Sequence, residues 1–572
     1  MFRIFTDGIF IFYSNLGAII AFFLCILGLG LAVTRSKQGT PMASEEKVLL
    51  SLGVGPILLA LATFLLAVVS QFETSIFHPL SILIIILCAA VVLREFWPGT
   101  MEVKAAGHLI LVCGIGLGLL LIVRLAYLKY ILLPPYTDSP IHYQIINEIL
   151  TPGTTHRSML SLNNLLGNYY HYGFHSMAAW LVSVSGTSPL VIMPLLGQLS
   201  LLIAVVSIMA FVQAVTGNLT AASMAGLFTG IGWSMPAYAA NWGKYPAIIA
   251  LAVFPAYMAY LEYLIIGKRR WSQIAWVLAL TLGIGLIHTR IAVLIFLAGM
   301  SYLLAQRFLL TPDMNLAQGT RIAILYWITL APLYVIVANF YRDIPILILL
   351  ILASPFAFHY NSKLSIGIFF FSFFIELIGL VQRFLPELVP TLLNEEFIEM
   401  SLYIPFSILG GLGIAGVILK MKNKILLQRL IPAASVGLMT VHLFTGITLV
   451  PDPCCELYTE NDQEAFRWIQ ENVTDHGLVL TSAFQEDRQS FGTDAGIWLF
   501  PLIGIQTNKL PYDISWEATN EVEQACLAGA RQIYIYVGGR EFSFDKMQLN
   551  RAEWADSVFS TGNTLIYKVN RC

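Results

Sequence analysis

Charge is what this chain has least of. Lys, Arg, Asp and Glu make up 12% of its 572 residues, where soluble domains carry roughly a quarter. Apolar residues reach 57% and mean hydropathy is +0.75, which excludes a wholly soluble protein. The net charge of −2 and the lack of any long basic cluster leave nothing that would recognise nucleic acid. No internal repeat, low-complexity tract or Gly-rich loop in a strand–loop–helix setting is present. A cleavable leader is not expected either. Met1–Asn15 lacks a clear basic region, and no small-residue cleavage site follows the first apolar run.

What is present is long uncharged runs. Several reach the ~20 residues that a bilayer core asks of a helix. Backbone groups in hydrocarbon must be satisfied within the segment, so each is read as a helix. About fourteen spans are expected, near 11–33, 47–70, 76–93, 106–126, 188–215, 219–239, 245–266, 271–288, 290–309, 321–339, 344–359, 363–383, 402–420 and 426–449. The basic connections are Arg35/Lys37/Lys47, Arg94/Lys104, Lys268/Arg269/Arg270, Arg307/Arg321 and Lys420/Lys422/Lys424, and all follow odd-numbered spans. The positive-inside rule then puts both termini outside. The fold class expected is a polytopic α-helical membrane protein with a C-terminal extracytoplasmic α/β domain. Its parts are an N-terminal transmembrane module (1–105), a transmembrane core (106–450) with a long outer loop (127–187), and the soluble domain (451–572).

The outer loop opens with Leu133-Pro134-Pro135 and carries short amphipathic stretches at about 139–150 and 158–167. Gly173–Ser185 is apolar but too short to span, which fits an interfacial or re-entrant helix. In the tail, Gln463–Asn472 and Glu521–Ala530 read as helices, while Leu478–Thr481, Gln532–Val537 and Thr564–Val569 read as strands. Cys25, Cys88 and Cys113 fall within spans as packing residues. Cys454, Cys455, Cys526 and Cys572 lie in the tail, where their disulfide pairing stays open. Asn472-Val473-Thr474 matches a glycosylation sequon.

Polar residues concentrate at the expected outer face. In Tyr136-Thr137-Asp138-Ser139-Pro140-Ile141-His142, Ser139-Pro140 predicts a helix start with Ser139 as N-cap. Asp138 and His142 then lie one turn apart, an acid and an imidazole suited to taking a proton from a hydroxyl or helping to hold a metal. Asp138 fits equally as a plain cap residue. His171 and His175, beside Tyr172 and Gly173, have the spacing to share a helix face. Stacking or hydrogen bonding to a polar ligand suits them better than a metal site. Trp242, Lys244 and Tyr245 occupy a short outer turn as an aromatic belt with a lysine that could meet a phosphate. His288-Thr289-Arg290 makes a tight outward corner that could clamp a lipid phosphate. Within the spans, Glu376 could pair with Arg124 or with another basic group of the bundle, and Arg383 closes span twelve. Glu387, Glu395, Glu396 and Glu399 offer further carboxylates, as does Asp343 beside Arg342.

These elements, in this order, resemble the GT-C-fold glycosyltransferases, integral-membrane enzymes of the protein O-mannosyltransferase and arabinosyltransferase kind. PPYTDSPIHY is similar to their acidic outer-loop motif, and YYHYGFHSMAAWL to a Gly–Phe–His stretch that precedes a span. NWGKYPAIIALAVFPAYMAYL is similar to a Trp-Gly-X-X-Pro element and IHTRIAVLIF to a His-X-Arg element. Family members usually place the acidic motif after the first span, whereas here about four spans precede it. The resemblance implies a sugar moved from a polyprenyl-phosphate donor to a hydroxyl on a glycan, lipid or protein acceptor. It makes Asp138 the general base with His142 beside it, and assigns the donor phosphate to Lys244, Arg290, Arg383 and His288. Tyr172, His175, Trp242, Tyr245 and Glu376 would line the substrate site, with room left for a divalent cation (Mg or Mn). A transporter or flippase, a polysaccharide polymerase or ligase, and a non-catalytic scaffold remain the alternatives.

Overall fold

A computed structural model of the chain describes residues 1–35, 42–71, 73–96, 107–151, 170–266, 271–308, 314–341, 343–385, 393–421, 424–446, 448–474, 477–486, 489–516 and 532–570. It is 75% helical, with a sheet near the C-terminus. The expected stretch 158–167, the helix Glu521–Ala530, the cysteines Cys526 and Cys572, and Lys37, Lys104, Lys268, Arg269, Arg270, Arg342, Glu387 and Lys422 lie outside the described residues. Two compact units form: Met1–Lys129, Ile146–Ala240 and Lys244–Val450 make the first, and Tyr130–Ile145, Asn241–Gly243 and Pro451–Cys572 the second.

The helices run in chain order as α1 (Phe2–Ser14), α2 (Leu16–Arg35), α3 (Ser44–Ser70), α4 (Phe77–Glu95), α5 (Gly107–Leu125), α6 (Ser139–Leu150), α7 (Gly173–Ser185), α8 (Pro189–Thr216), α9 (Leu219–Leu227) and α10 (Tyr245–Ile266). They continue as α11 (Trp271–Ile287), α12 (Ile291–Phe308), α13 (Leu316–Val337), α14 (Ile344–Tyr360), α15 (Ser362–Phe384), α16 (Glu395–Ser401), α17 (Tyr403–Lys420) and α18 (Ile425–Thr445). Among the described residues, eight stretches are long and apolar enough to cross a membrane, fewer than the fourteen expected, and four further apolar helices are shorter. The protein is thus a helical membrane protein. In α8, apolar all round, Ser188 accepts from Leu190 N–H at 3.3 Å to start the helix, and Gly217 at φ 61° ends it. Its residues are buried from Ile192 to Ala210, as an all-apolar helix inside a bundle should be. α4, as apolar as α8, and the less apolar α18 are both largely exposed, which suits a lipid-facing position.

Three expectations change in this unit. The first apolar run is cut at Asn15, whose side chain donates to Ile11 O at 2.9 Å, so the first long span starts at Leu16. Span six is not one helix. It stops at Leu227, passes through a π-turn over Phe228–Gly232, and ends in a short 3-10 turn at Ala237–Ala240. Gly230, Gly232 and Pro236 are poor helix formers, and their spacing accounts for the break. Finally, α7 is internal to the bundle, because Gly173 to Leu181 are all buried, which overturns the interfacial alternative but not the re-entrant one.

The break in span six explains Arg124. Its guanidinium donates from Nη2 to Gly230 O at 2.9 Å, and from Nη1 to Thr448 Oγ1 at 3.0 Å. A pair with Glu376 is not formed. Glu376 lies buried on α15, whereas Arg124 serves a carbonyl that the π-turn releases from the helical ladder. Backbone at membrane depth has no water to turn to, so a side chain must supply the donor. Asp343 caps α14 by accepting from Ile346 N–H at 3.4 Å, and it also binds His442 Nδ1 of α18.

In the second unit, α19 (Glu460–Asn472) is set by a capping box between Thr459 and Asp462. Strands β1 (Gly477–Glu486), β2 (Gln489–Gly492), β3 (Gln506–Pro511), β4 (Gln532–Val537), β5 (Ala555–Thr561) and β6 (Thr564–Val569) order as β2-β1-β4-β6-β5, with β3 also on β1. β1 runs parallel to β3 and β4, and its core face packs Leu480 with Ile533, Ile535, Val537, Phe544 and Tyr567. β1 forks. Gly477–Leu480 pair with β4, whereas Ala483–Glu486 pair with β2. Asp494 fills the fork, buried, and accepts from Ser482 Oγ (2.8 Å), Ser543 Oγ (2.9 Å), Gly496 N–H (2.9 Å) and Gly538 N–H (3.0 Å). Burial pushes its carboxyl above the usual aspartate range, and the four hydrogen bonds pull the other way without cancelling it.

Candidate functional site

In the membrane unit, residues from separate helices gather at the start of α16. Asn394 caps that helix, its Oδ1 accepting from Phe397 N–H at 3.3 Å. The same oxygen accepts from Arg290 Nη1 at 2.6 Å, and Asn394 Nδ2 donates to Glu396 Oε2 at 3.3 Å. Lys244 Nζ lies 3.2 Å from Glu396 Oε2, and Arg383 Nη1 lies 2.8 Å from Glu395 Oε1. Acids in a first turn complement the partial positive charge of the helix start. Here they also draw in cations from the α10, α12 and α15 segments. The three basic residues expected to hold a phosphate therefore do meet, through carboxylates and an amide.

Beside them runs a ladder of rings. Tyr170 stacks on His171 (4.1 Å between centroids), His171 lies 4.4 Å from His288, and His288 stacks on Phe397 (5.2 Å). His288 Nδ1 accepts from Arg290 N–H at 3.3 Å, so its other nitrogen carries the proton in the neutral ring. Gly173 packs closely on the end of α11; a Cβ there would sit 2.8 Å from the Leu286 carbonyl carbon. His171 and His175 do not share a helix face, since α7 starts only at Gly173. His171 turns to His288, while His175 is buried among Tyr170, Tyr172 and Phe174. Burial pushes the Tyr172 phenol up from its ordinary value. Tyr245 is buried and stacks on Phe174 at 6.0 Å. Among the described residues no group of three or more His, Cys, Asp and Glu is placed to hold a metal ion.

The second unit contains the Asp138 turn. Tyr136 adopts φ 67°, a left-handed conformation strained for a bulky side chain, and its N–H donates to Cys455 O at 3.0 Å. Asp138 O accepts from His142 N–H at 3.1 Å, which opens α6. Ser139 is already helical, and its hydroxyl donates back to Pro135 O at 2.5 Å rather than serving as the cap residue. Asp138 is half-buried and His142 buried. Gly243, at φ 62°, lies under this turn, and a Cβ would come within 2.6 Å of Ser139 Oγ. The acidic motif and the Asn241-Trp242-Gly243 motif thus pack together. Trp242 itself is half-buried.

Asn241 Oδ1 accepts from Asp452 N–H at 3.0 Å, and Arg540 donates to the carbonyls of Pro453 (2.8 Å) and Cys454 (2.6 Å). Sequence reading passed over Asn394 and Phe397. Only Asn394, an Asn followed by two glutamates before an apolar run, carries a local signal.

A bundle of apolar helices followed by a mixed sheet defines a polytopic membrane protein with a C-terminal sheet domain. The chain belongs to a family of unknown function, DUF6541, whose model matches residues 14–448. No curated protein matches it.

Proposed function

We propose that this protein is a GT-C-type glycosyltransferase. It moves a sugar from a polyprenyl-phosphate donor to an acceptor hydroxyl at the outer face of the helix bundle. Asp138 accepts the hydroxyl proton as the acceptor oxygen bonds to the anomeric carbon. The bond from that carbon to the phosphate oxygen breaks, and polyprenyl phosphate leaves. Lys244, Arg290 and Arg383 exchange their carboxylate and amide partners for the donor phosphate and offset its charge. Tyr170, half-buried at the end of the ring ladder, offers a face against which a sugar can stack.

The observation that carries this reading is the gathering of Lys244, Arg290 and Arg383 at one helix start beside those rings. Backbone strain at Tyr136, two residues before Asp138, adds to it, because strain of this kind clusters at working sites. The test is incubation of the purified full chain with a panel of polyprenyl-phosphate sugars, followed by product analysis. Asp138→Asn should lower transfer by about 10²-fold or more with thermal unfolding unchanged; undiminished transfer would remove Asp138 from its role.

One observation favours a transport reading instead. Interrupted helices mark substrate paths in transporters, and span six is interrupted at Phe228–Gly232. Donor-dependent movement of label across proteoliposomes, without sugar transfer, would favour that reading.

A further inference from the structure

The membrane unit contains a cavity of about 290 Å³ between α8, α10, α12, α15 and α17, near the lower end of the volumes that hold small ligands. Its deep walls are apolar and buried: Phe254, Phe371, Ile404 and Ile408. Small residues usually let membrane helices approach closely. Two in this wall do not. A Cβ on Gly299 of α12 would meet nothing within 4 Å, and one on Gly367 of α15 would meet only the Ala305 Cβ at 3.9 Å. They leave a slot between α12 and α15 that the chain's own side chains do not fill. Water gains nothing in such a slot, because apolar walls offer it no partners.

The mouth has a different chemistry. Glu262 near the end of α10 and Lys363 at the start of α15 both line it, with Tyr302 and Asn361. Among the described residues neither Glu262 nor Lys363 makes an ion pair, with each other or with any other group. Lys363 Nζ instead lies over the Tyr302 ring, 5.1 Å from its centroid. One cation and one anion, each without a counter-charge, border an apolar slot in a membrane helix bundle. Lys363 is exposed and Glu262 half-buried at these helix ends, within reach of a headgroup that carries both signs of charge.

We infer that this cavity is a binding site for a zwitterionic glycerophospholipid of the phosphatidylethanolamine class. One acyl chain enters the slot past Gly299 and Gly367, the phosphate meets Lys363, and the ammonium meets Glu262. The net charge of the mouth, zero, matches that of the headgroup. It disfavours lipids carrying a net negative charge, the polyprenyl phosphates included. The site is separate from the residues assigned to glycosyl transfer, and the inference stands without that reading.

The test uses the purified full chain in mixed vesicles with phosphatidylethanolamine, phosphatidylglycerol or polyprenyl phosphate, each bearing a photoreactive group in its hydrocarbon chain. Labelled peptides are then mapped by mass spectrometry. Phosphatidylethanolamine should label 298–305 and 367–371 preferentially. Gly299→Leu or Gly367→Leu should lower that labelling about tenfold, with the unfolding temperature unchanged or raised. Lys363→Glu and Glu262→Lys should each weaken it, and the double exchange should restore part of it by letting the headgroup bind reversed. Labelling spread evenly over lipid-facing helices and insensitive to the leucine variants would overturn the inference. So would stronger labelling of these segments by phosphatidylglycerol or by polyprenyl phosphate. Should both leucine variants fail to fold, failure of the double exchange to restore labelling would decide against it.

Discussion

In the membrane unit the conspicuous buried ion is the cation Arg124; in the C-terminal unit it is the anion Asp494. Each sits where regular secondary structure gives way. A π-turn frees the Gly230 carbonyl, and a guanidinium donates to it. A forked strand leaves the Gly538 N–H beyond the end of β4, and a carboxylate accepts from it. The sign of the buried charge therefore follows from which backbone group was left without its ladder partner. Neither ion needs a counter-ion to explain its burial, although each bears a desolvation cost that its hydrogen bonds must offset. The ion pairs at the α16 start differ in kind, since Arg383 and Glu395 are 49% and 51% exposed. Water screens such a pair, and it holds geometry more than it adds stability.

The comparison breaks most readily at Arg124. Arg124→Ala removes the donors to Gly230 and Thr448 and leaves a hole, so a loss of about 3 kcal/mol or more is expected. It is read as a lower unfolding temperature and a smaller monodisperse fraction in detergent. Arg124→Lys keeps the charge but cannot fork to both acceptors, and should recover little. A fully stable alanine variant would show that the π-turn needs no donor.

Asp494→Ala should cost about 2–3 kcal/mol in the C-terminal unit, seen as faster proteolysis of the tail in the intact chain. Its pH dependence is smaller and has a defined sign. The folded carboxyl titrates above the ordinary value of 3.8, so the folded unit binds this proton more tightly than the unfolded chain. That stabilising contribution is complete below the ordinary value and is lost as pH rises through the folded one. Asp494→Asn should abolish this fall, measured as the denaturant midpoint of the tail between about pH 4 and pH 7. A rise in midpoint across the same interval, removed by the variant, would reverse the assignment.

The smallest effect belongs to Arg383→Ala, where less than about 0.5 kcal/mol is expected. Lys244, whose partner Glu396 is 40% exposed, should give no more than about 1 kcal/mol. Larger values would mean that the α16 start supports the bundle as well as gathering cations.

Local signals carried far along this chain. The membrane-length helices stand on runs of few charges that hydropathy detects, and the strands β4 and β6 stand on short runs of β-branched and aromatic residues, QIYIYV and TLIYKV. The Asp138 turn was legible in Ser139-Pro140, with an error of one residue in the cap. Partners were less legible. Arg124 looked like a match for Glu376 because both are charged and both lie in spans. Asn394 gave no hint that it would hold an arginine 104 residues away. β2, β3 and β5 were missed because QSFG, QTNKLP and ADSVFST are short and polar, and owe their pairing to neighbouring strands.

By itself the sequence determined that this is a membrane helix bundle followed by a helix-and-strand domain, because hydropathy and periodicity are sums over neighbouring residues. Only the tertiary structure decided which charges are buried, which meet, and which backbone groups they serve. Those depend on where helices break and strands fork, and on which distant segment then lies within hydrogen-bonding reach.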